Sequence, residues 1–198
     1  WLDYAATQGY LVVCVDGRGT GFRGKKFASV VYKNLGKYET EDQIAAARYV
    51  ASLPYADASK IGIFGWSFGG YETLMAMTAP GNPYAAGIAV APVTDWRLYD
   101  SVYTERFMLT PQQNSVGYDA SSTLGRIKNL KGNLLIVSGT ADNVHIANTF
   151  EFVSEATSQN KILDMMVYPN KNHFINGCET RLALYTKLLD YFNRNLKK

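Results

Sequence analysis

The chain has 198 residues, 47% of them hydrophobic and 13% aromatic, so it can build one domain with a substantial core. A net charge of +3 from 20 basic and 17 acidic residues, with no long run of like charge, excludes a nucleic-acid or membrane surface as the main feature. Two cysteines and two histidines are too few and too scattered for a disulfide framework or a zinc site. We therefore expect no metal and no cofactor.

The beginning of the chain predicts a helix, a strand and a glycine-rich loop. Residues 1–8 have a helical pattern, and because the chain opens at Trp1 rather than at a methionine, we expect a piece of a longer protein. The β-branched run 11–15 is typical of a strand covered on both faces, which would bury Cys14. Residues 19–24 have the form G-x-G-x-x-G, but no acidic strand end follows about 20 residues later. A surface loop is therefore predicted there rather than a dinucleotide site.

Strands and helices alternate through the rest of the chain. Apolar runs predict buried strands at 61–64, 85–91, 134–137 and 163–168. Helical periodicity appears from residue 40 to about 53 and over 71–78, 145–159 and 179–195. Residues 111–131 are polar and predict loops and short helices. The alternation predicts an α/β fold with a mostly parallel sheet between helical layers and sites at the carboxyl ends of the strands.

A G-x-S-x-G motif at residues 65–69 follows the predicted strand 61–64 and precedes a predicted helix. In this context the serine lies on a tight strand-to-helix turn with its hydroxyl exposed at the edge of the sheet. Ser67 is therefore a candidate nucleophile. The alternative is an ordinary glycine turn with a solvated serine.

A candidate acid and a candidate base follow later strands. Asp142 comes after the predicted strand 134–137, and His173 comes after 163–168. The order serine, aspartate, histidine is that of the α/β-hydrolase fold, in which the imidazole takes the serine proton and the carboxylate fixes its tautomer. His145 lies too close to Asp142 along the chain to do more than pair locally, so His173 is the predicted base. The alternative role for Asp142 is a helix cap.

Nearly the whole chain resembles the prolyl oligopeptidase family of serine peptidases. The stretches that carry this resemblance are DGRG at 16–19, GWSFGG at 65–70, APVTDW at 91–96, YDSVYTER at 99–106 and GTAD at 139–142. The resemblance implies that Ser67, Asp142 and His173 form a catalytic triad. It also implies that the backbone N–H of Phe68 stabilises an oxyanion.

The resemblance further implies an apolar pocket for a penultimate proline or alanine. Its residues would be Val93, Trp96, Tyr99, Tyr103 and Val144, with Asn143 fixing the substrate. Without the resemblance, the helical spacing of the three aromatic residues among these indicates core packing. Three features depart from the family pattern. They are Ser138 in place of histidine, an acid loop one residue shorter, and Phe174 in place of a glycine after the predicted base.

The implied function is that of a peptidase catalytic domain spanning residues 1–198, N-terminally truncated and without the β-propeller of the full-length protein. It would act on peptides through an acyl-enzyme and release N-terminal X-Pro or X-Ala dipeptides. The family's second oxyanion donor, a tyrosine, would lie upstream of Trp1, so we expect this piece to be folded but nearly inactive. A homodimer and a periplasmic, cell-envelope or secreted location are also implied.

Two alternatives remain open at the level of the sequence. One is another enzyme of the same fold, such as a different oligopeptidase, an acylaminoacyl peptidase or an esterase. The other is an interaction domain without turnover, for which Ser138, the shortened acid loop and Phe174 are the hints. The presence of all three candidate triad residues favours catalysis.

Overall fold

A computed structural model describes residues 1–197. The helices are α1 (Leu2–Thr7), α2 (Lys25–Ser29), α3 (Tyr38–Ala51), α4 (Phe68–Met77), α5 (Ser101–Met108), α6 (Ser115–Ser121), α7 (Ala147–Ser158) and α8 (Cys178–Leu196). The strands are β1 (Gly62–Trp66), β2 (Ala86–Val90), β3 (Asn133–Gly139) and β4 (Asp164–Tyr168). Short 3₁₀ turns span Trp96–Leu98 and Leu124–Asn129.

The four strands form one parallel sheet in the order β1-β2-β3-β4. Successive side chains of a strand point to opposite faces, and the core divides accordingly. Leu134 and Ile136 pack with apolar residues of α3, α4 and α7 on one face. Leu135 and Val137 pack with α8 on the other face. The sheet is therefore covered on both sides, which explains its nearly continuous apolar strands.

The predicted α/β architecture with a parallel sheet is confirmed. Each of the four strands predicted after residue 60 is present, with ends shifted by a residue or two. The region 111–131 contains α6 and a 3₁₀ turn, as its polar, turn-rich sequence predicted. The long C-terminal helix is present as well. No helix among residues 1–197 has the length and apolarity needed to cross a membrane.

The prediction of a buried strand at residues 11–15 is wrong. These residues form no strand, and Leu11 and Val13 are 53% and 51% exposed. Cys14 is exposed, contrary to its predicted place in the core. The physical reason is that an apolar run becomes a strand only where a neighbouring strand takes its hydrogen bonds, and no described strand lies beside this one.

The outer edge of β1 is free in the described part of the chain. Ala85 N donates to Ile61 O and Ser67 N donates to Val90 O, both at 2.8 Å, so alternate residues of β1 face β2. The residues between them direct their N–H and C=O groups away from the sheet. A groove of about 740 Å³ runs along this edge, lined both by β1 and by Leu11, Val12, Val13 and Val15.

Candidate active site

Ser67 lies on the sharp turn between β1 and α4, as predicted. Its backbone has φ 60° and ψ −118°, a region that residues with a Cβ rarely adopt. The turn is tight because a Cβ on Gly65 would overlap the carbonyl oxygen of Gly69. A Cβ on Gly70 would come within 2.7 Å of Val90 O in β2. The glycines thus allow the close approach that presents the serine at the carboxyl end of the sheet.

Phe68 is the first residue of α4, directly after the serine. The first N–H groups of a helix have no partner within the helix, and the helix dipole makes that end positive. No hydrogen bond from Phe68 N is present in the described residues. This N–H is therefore available to a negatively charged oxygen formed beside Ser67.

Asp142 and His173 lie within hydrogen-bonding distance of each other. The Nδ1 of His173 is 2.9 Å from Asp142 Oδ1 and 3.0 Å from Oδ2. The aspartate side chain is fully buried, whereas the histidine side chain keeps 17% of its exposure. Asp142 Oδ1 also accepts a 2.8 Å hydrogen bond from Val144 N, which fixes the carboxylate within its own loop. Asp142 therefore meets His173 despite the shortened acid loop.

The acid loop and the last residue of β1 hold the loop that carries His173 in place. Ala141 N donates to Lys171 O at 3.0 Å, which ties the acid loop to the histidine loop. A Cβ on Gly139 would overlap Lys171 O, so only glycine permits this approach. Trp66 Nε1 donates to the carbonyl of His173 at 2.9 Å. No pattern in the sequence predicts this last bond, because its partners lie 107 positions apart.

The three candidate triad residues follow three different strands of one sheet: Ser67 after β1, Asp142 after β3 and His173 after β4. No hydrogen bond joins Ser67 to His173 among the described residues; such bonds often tighten only when substrate binds. His145 instead accepts a 3.1 Å hydrogen bond from Ala147 N at the start of α7. That local role leaves His173 as the only described histidine paired with Asp142.

An aromatic cluster lies beside the serine turn. Val93, Trp96 and Val144 are buried in it, and Phe68, Tyr99 and Tyr103 pack on it while partly exposed. The Trp96 ring stacks on Tyr103 with centroids 5.7 Å apart, and Tyr99 meets Trp96 edge-on at 6.1 Å. Asn143 Nδ2 donates to Tyr99 Oη at 3.4 Å. The structure thus brings all six residues predicted for the pocket to one place.

The aromatic residues of this cluster do not share one helix, although their spacing is helical. Trp96 lies in a 3₁₀ turn, and Tyr103 lies in α5 after Asp100 has capped its start. A buried residue that the sequence did not predict anchors this segment: Asn148 Oδ1 accepts from Thr94 N at 2.8 Å. Ser138, which departs from the family pattern, hydrogen-bonds to Thr149 in the core.

Glu72 is a second residue that sequence reasoning missed. It lies in α4 behind the serine turn, and its Oε1 has no hydrogen-bond partner among the described residues. Burial, reinforced by the charge of Glu39, raises the pKa of Glu72 to about 9. Burial also raises the pKa of Glu39 to about 7. Around neutral pH the helix behind the candidate nucleophile therefore contains a protonated, uncharged glutamate.

Glu72→Gln should stabilise the protein at alkaline pH. An unfolded glutamate has a pKa of about 4.3, so between that value and about 9 the native chain holds a proton that the unfolded chain releases. The free energy of unfolding consequently falls as pH rises through this range. We expect Glu72→Gln to raise Tm by at least about 4 °C at about pH 8 and to change it little at about pH 5. Exposed Glu151→Gln is the control, and a Tm shift independent of pH would contradict the assignment.

A parallel sheet between helical layers, with a serine on the turn from strand to helix, defines the α/β-hydrolase fold. Comparison with known proteins supports the same fold. A sequence profile of the prolyl oligopeptidase family matches residues 2–198. The crystal structure of Porphyromonas gingivalis dipeptidyl peptidase 4 superposes with a TM-score of 0.97 and 53% identity, covering 99% of this chain and 28% of that one.

Fungal relatives show the same likeness. A protein of Ajellomyces capsulatus named "Probable dipeptidyl-aminopeptidase B" is 47% identical over 192 residues. A protein of the same name from Pyrenophora teres f. teres is 48% identical over 191 residues. The matches cover 94% and 93% of this chain but only 21% of each relative. The chain belongs to the prolyl oligopeptidase family of serine peptidases, as its sequence motifs predicted.

Proposed function

We propose that this chain is the catalytic domain of a serine peptidase that removes dipeptides with a penultimate proline or alanine from peptide N-termini. The observation that carries the proposal is the hydrogen-bonded pair of Asp142 and His173 at the same sheet edge as the strained Ser67 turn. The names of the relatives support the dipeptidyl specificity.

The proposed mechanism assigns one step to each group. Ser67 Oγ attacks the scissile carbonyl while His173 Nε2 takes its proton, and Asp142 holds the imidazole in the tautomer that can do so. The Phe68 N–H donates to the oxyanion. His173 then gives the proton to the departing amine, which leaves an ester on Ser67. Water, activated by the same imidazole, hydrolyses this acyl-enzyme.

The aromatic cluster supplies the proposed specificity. A proline ring is compact, apolar and rigid, so it buries area against aromatic faces with little loss of conformational entropy. Tyr99 and Tyr103 leave part of their rings open beside buried Trp96, and Asn143 adds a polar group at the rim. A large or charged penultimate side chain would lose these contacts.

We also propose that these residues are one part of a longer chain, with a β-propeller elsewhere in it. The chain spans only 21% of the relatives' length. The open groove beside β1 fits a further strand from the same protein, because β1 there presents unpaired backbone groups opposite the apolar run 11–15. The proposed second oxyanion donor would also come from outside residues 1–198.

The test compares the full-length protein with residues 1–198, using the 4-nitroanilides of Gly-Pro and of N-acetyl-Gly-Pro. We expect the full-length protein to cleave only the compound with a free N-terminus, and the shorter chain to be at least about 10²-fold slower. Tyr103→Ala should lower kcat/KM for Gly-Pro at least about tenfold. Tyr49→Ala, which removes a tyrosine 68% exposed on α3, is the matched control.

Each result that differs from these expectations would contradict a different part of the proposed function. Equal cleavage of the acetylated compound would overturn the dipeptidyl assignment in favour of another oligopeptidase. Hydrolysis of simple esters alone would favour an esterase. Full activity of residues 1–198 would contradict the proposed dependence on a longer chain.

A further inference from the structure

Phe174 is an exposed aromatic residue directly after the proposed base. It is 59% exposed, and its ring meets the His173 ring edge-on with centroids 5.6 Å apart. Phe174 N donates to Asn172 Oδ1 at 3.2 Å, and Ile175 N donates to Asn172 O at 2.9 Å. The ring is therefore held on a fixed turn rather than on a loose loop.

This turn leads away from the aromatic pocket. Ile175 is fully buried in the cluster that packs on α8, although its φ of 46° is strained for a β-branched residue. Trp66, which holds the carbonyl of His173, packs on the same cluster. The pocket residues instead pack with Tyr71 and Met75 of α4, on the other face of the sheet. Among the described residues, the ring of Phe174 meets the ring of His173 and no aromatic ring of the pocket.

The proposed reaction predicts which part of the substrate lies beside Phe174. The acyl part of the substrate enters the pocket on the α4 side, so the leaving amine must extend from Ser67 toward the other side. His173 hands its proton to that amine and therefore lies against it. A side chain that contacts the imidazole without contacting the pocket is therefore next to the first residue of the leaving peptide.

We propose that Phe174 forms a wall of the site for the leaving group and selects an apolar side chain immediately after the scissile bond. This inference rests on the proposed peptidase function. An apolar side chain there would cover the exposed face of the Phe174 ring and remove both surfaces from water. A glycine or an acidic residue in that position would gain nothing from the contact.

The test measures kcat/KM of the full-length protein for Gly-Pro-Leu, Gly-Pro-Gly and Gly-Pro amide. We expect the native enzyme to favour leucine over glycine, and Phe174→Gly to reduce that ratio about fivefold to tenfold. Phe174→Leu should retain it within about threefold, because it restores an apolar wall. Gly-Pro amide releases only ammonia, so its rate should change less than about twofold in either variant.

Three controls separate this inference from its alternatives. Phe150→Ala removes another exposed phenylalanine, 50% exposed on α7 and distant in sequence from the proposed site, and should leave the ratio unchanged. If Phe174→Gly slowed Gly-Pro amide as much as Gly-Pro-Leu, the ring would position His173 and the selectivity proposal would fail. An unchanged ratio in Phe174→Gly would overturn it as well. If Ser67→Ala kept its activity, the proposed peptidase mechanism itself would be wrong, and the inference about Phe174 would fail with it.

Discussion

Ser67→Ala should lower kcat for Gly-Pro 4-nitroanilide by about 10⁶-fold in the full-length protein, because it removes the oxygen proposed to attack the scissile carbonyl. The change keeps the Cβ, so the turn at φ 60° retains the same strain, and the backbone bonds of Ser67 to Val90 and Tyr71 remain. Thermal unfolding should therefore stay within about 2 °C of the native protein.

The control for Ser67→Ala is Ser158→Ala, which removes an exposed hydroxyl at the end of α7. It should leave kcat unchanged. A Ser67→Ala protein with more than about one hundredth of native activity, at unchanged stability, would show that another group is the nucleophile.

Asp142→Asn should lower kcat by about 10⁴-fold with little change in structure. The asparagine oxygen can still accept the hydrogen bond from Val144 N, so the acid loop keeps its shape. Its NH₂ group would then face His173 Nδ1 and force that nitrogen to accept. The proton of the imidazole would move to Nε2, where it blocks removal of the Ser67 proton.

The measurement is steady-state hydrolysis of the same nitroanilide, with circular dichroism to verify folding. Asp190→Asn changes an exposed aspartate on α8 and is the matched control. If Asp142→Asn lowered kcat less than about tenfold, the role of Asp142 would be limited to accepting the hydrogen bond from Val144 N. Other groups would then orient His173.

The candidate triad was predictable because each member follows a strand, and strand ends of a parallel sheet converge at one edge. Residue type, order and the glycines at 65 and 69 then restricted the candidates. The same reasoning assigned His173 over His145, and the structure pairs His173 with Asp142. Local sequence patterns were enough to identify these three candidates, because each candidate lies in a short stretch directly after a predicted strand.

The wrong and missing predictions concern features that depend on residues distant in the sequence. Residues 11–15 have the composition of a buried strand, but strand formation depends on a neighbour that the composition does not reveal. Glu72 occurs in a helix whose apolar sequence is typical of a buried helix, but glutamate is rarely buried, so its own burial was not predicted. The bond from Trp66 to the carbonyl of His173 joins segments whose proximity only the fold creates.

The most direct test of the central proposal is labelling of the full-length protein with a fluorophosphonate, followed by mass spectrometry of the peptides. Fluorophosphonates react with a serine whose hydroxyl is activated by a neighbouring base. The proposal predicts one adduct on Ser67, strongly reduced in His173→Ala and absent in Ser67→Ala. An intact, folded protein with no adduct on Ser67 would contradict the proposed catalytic role.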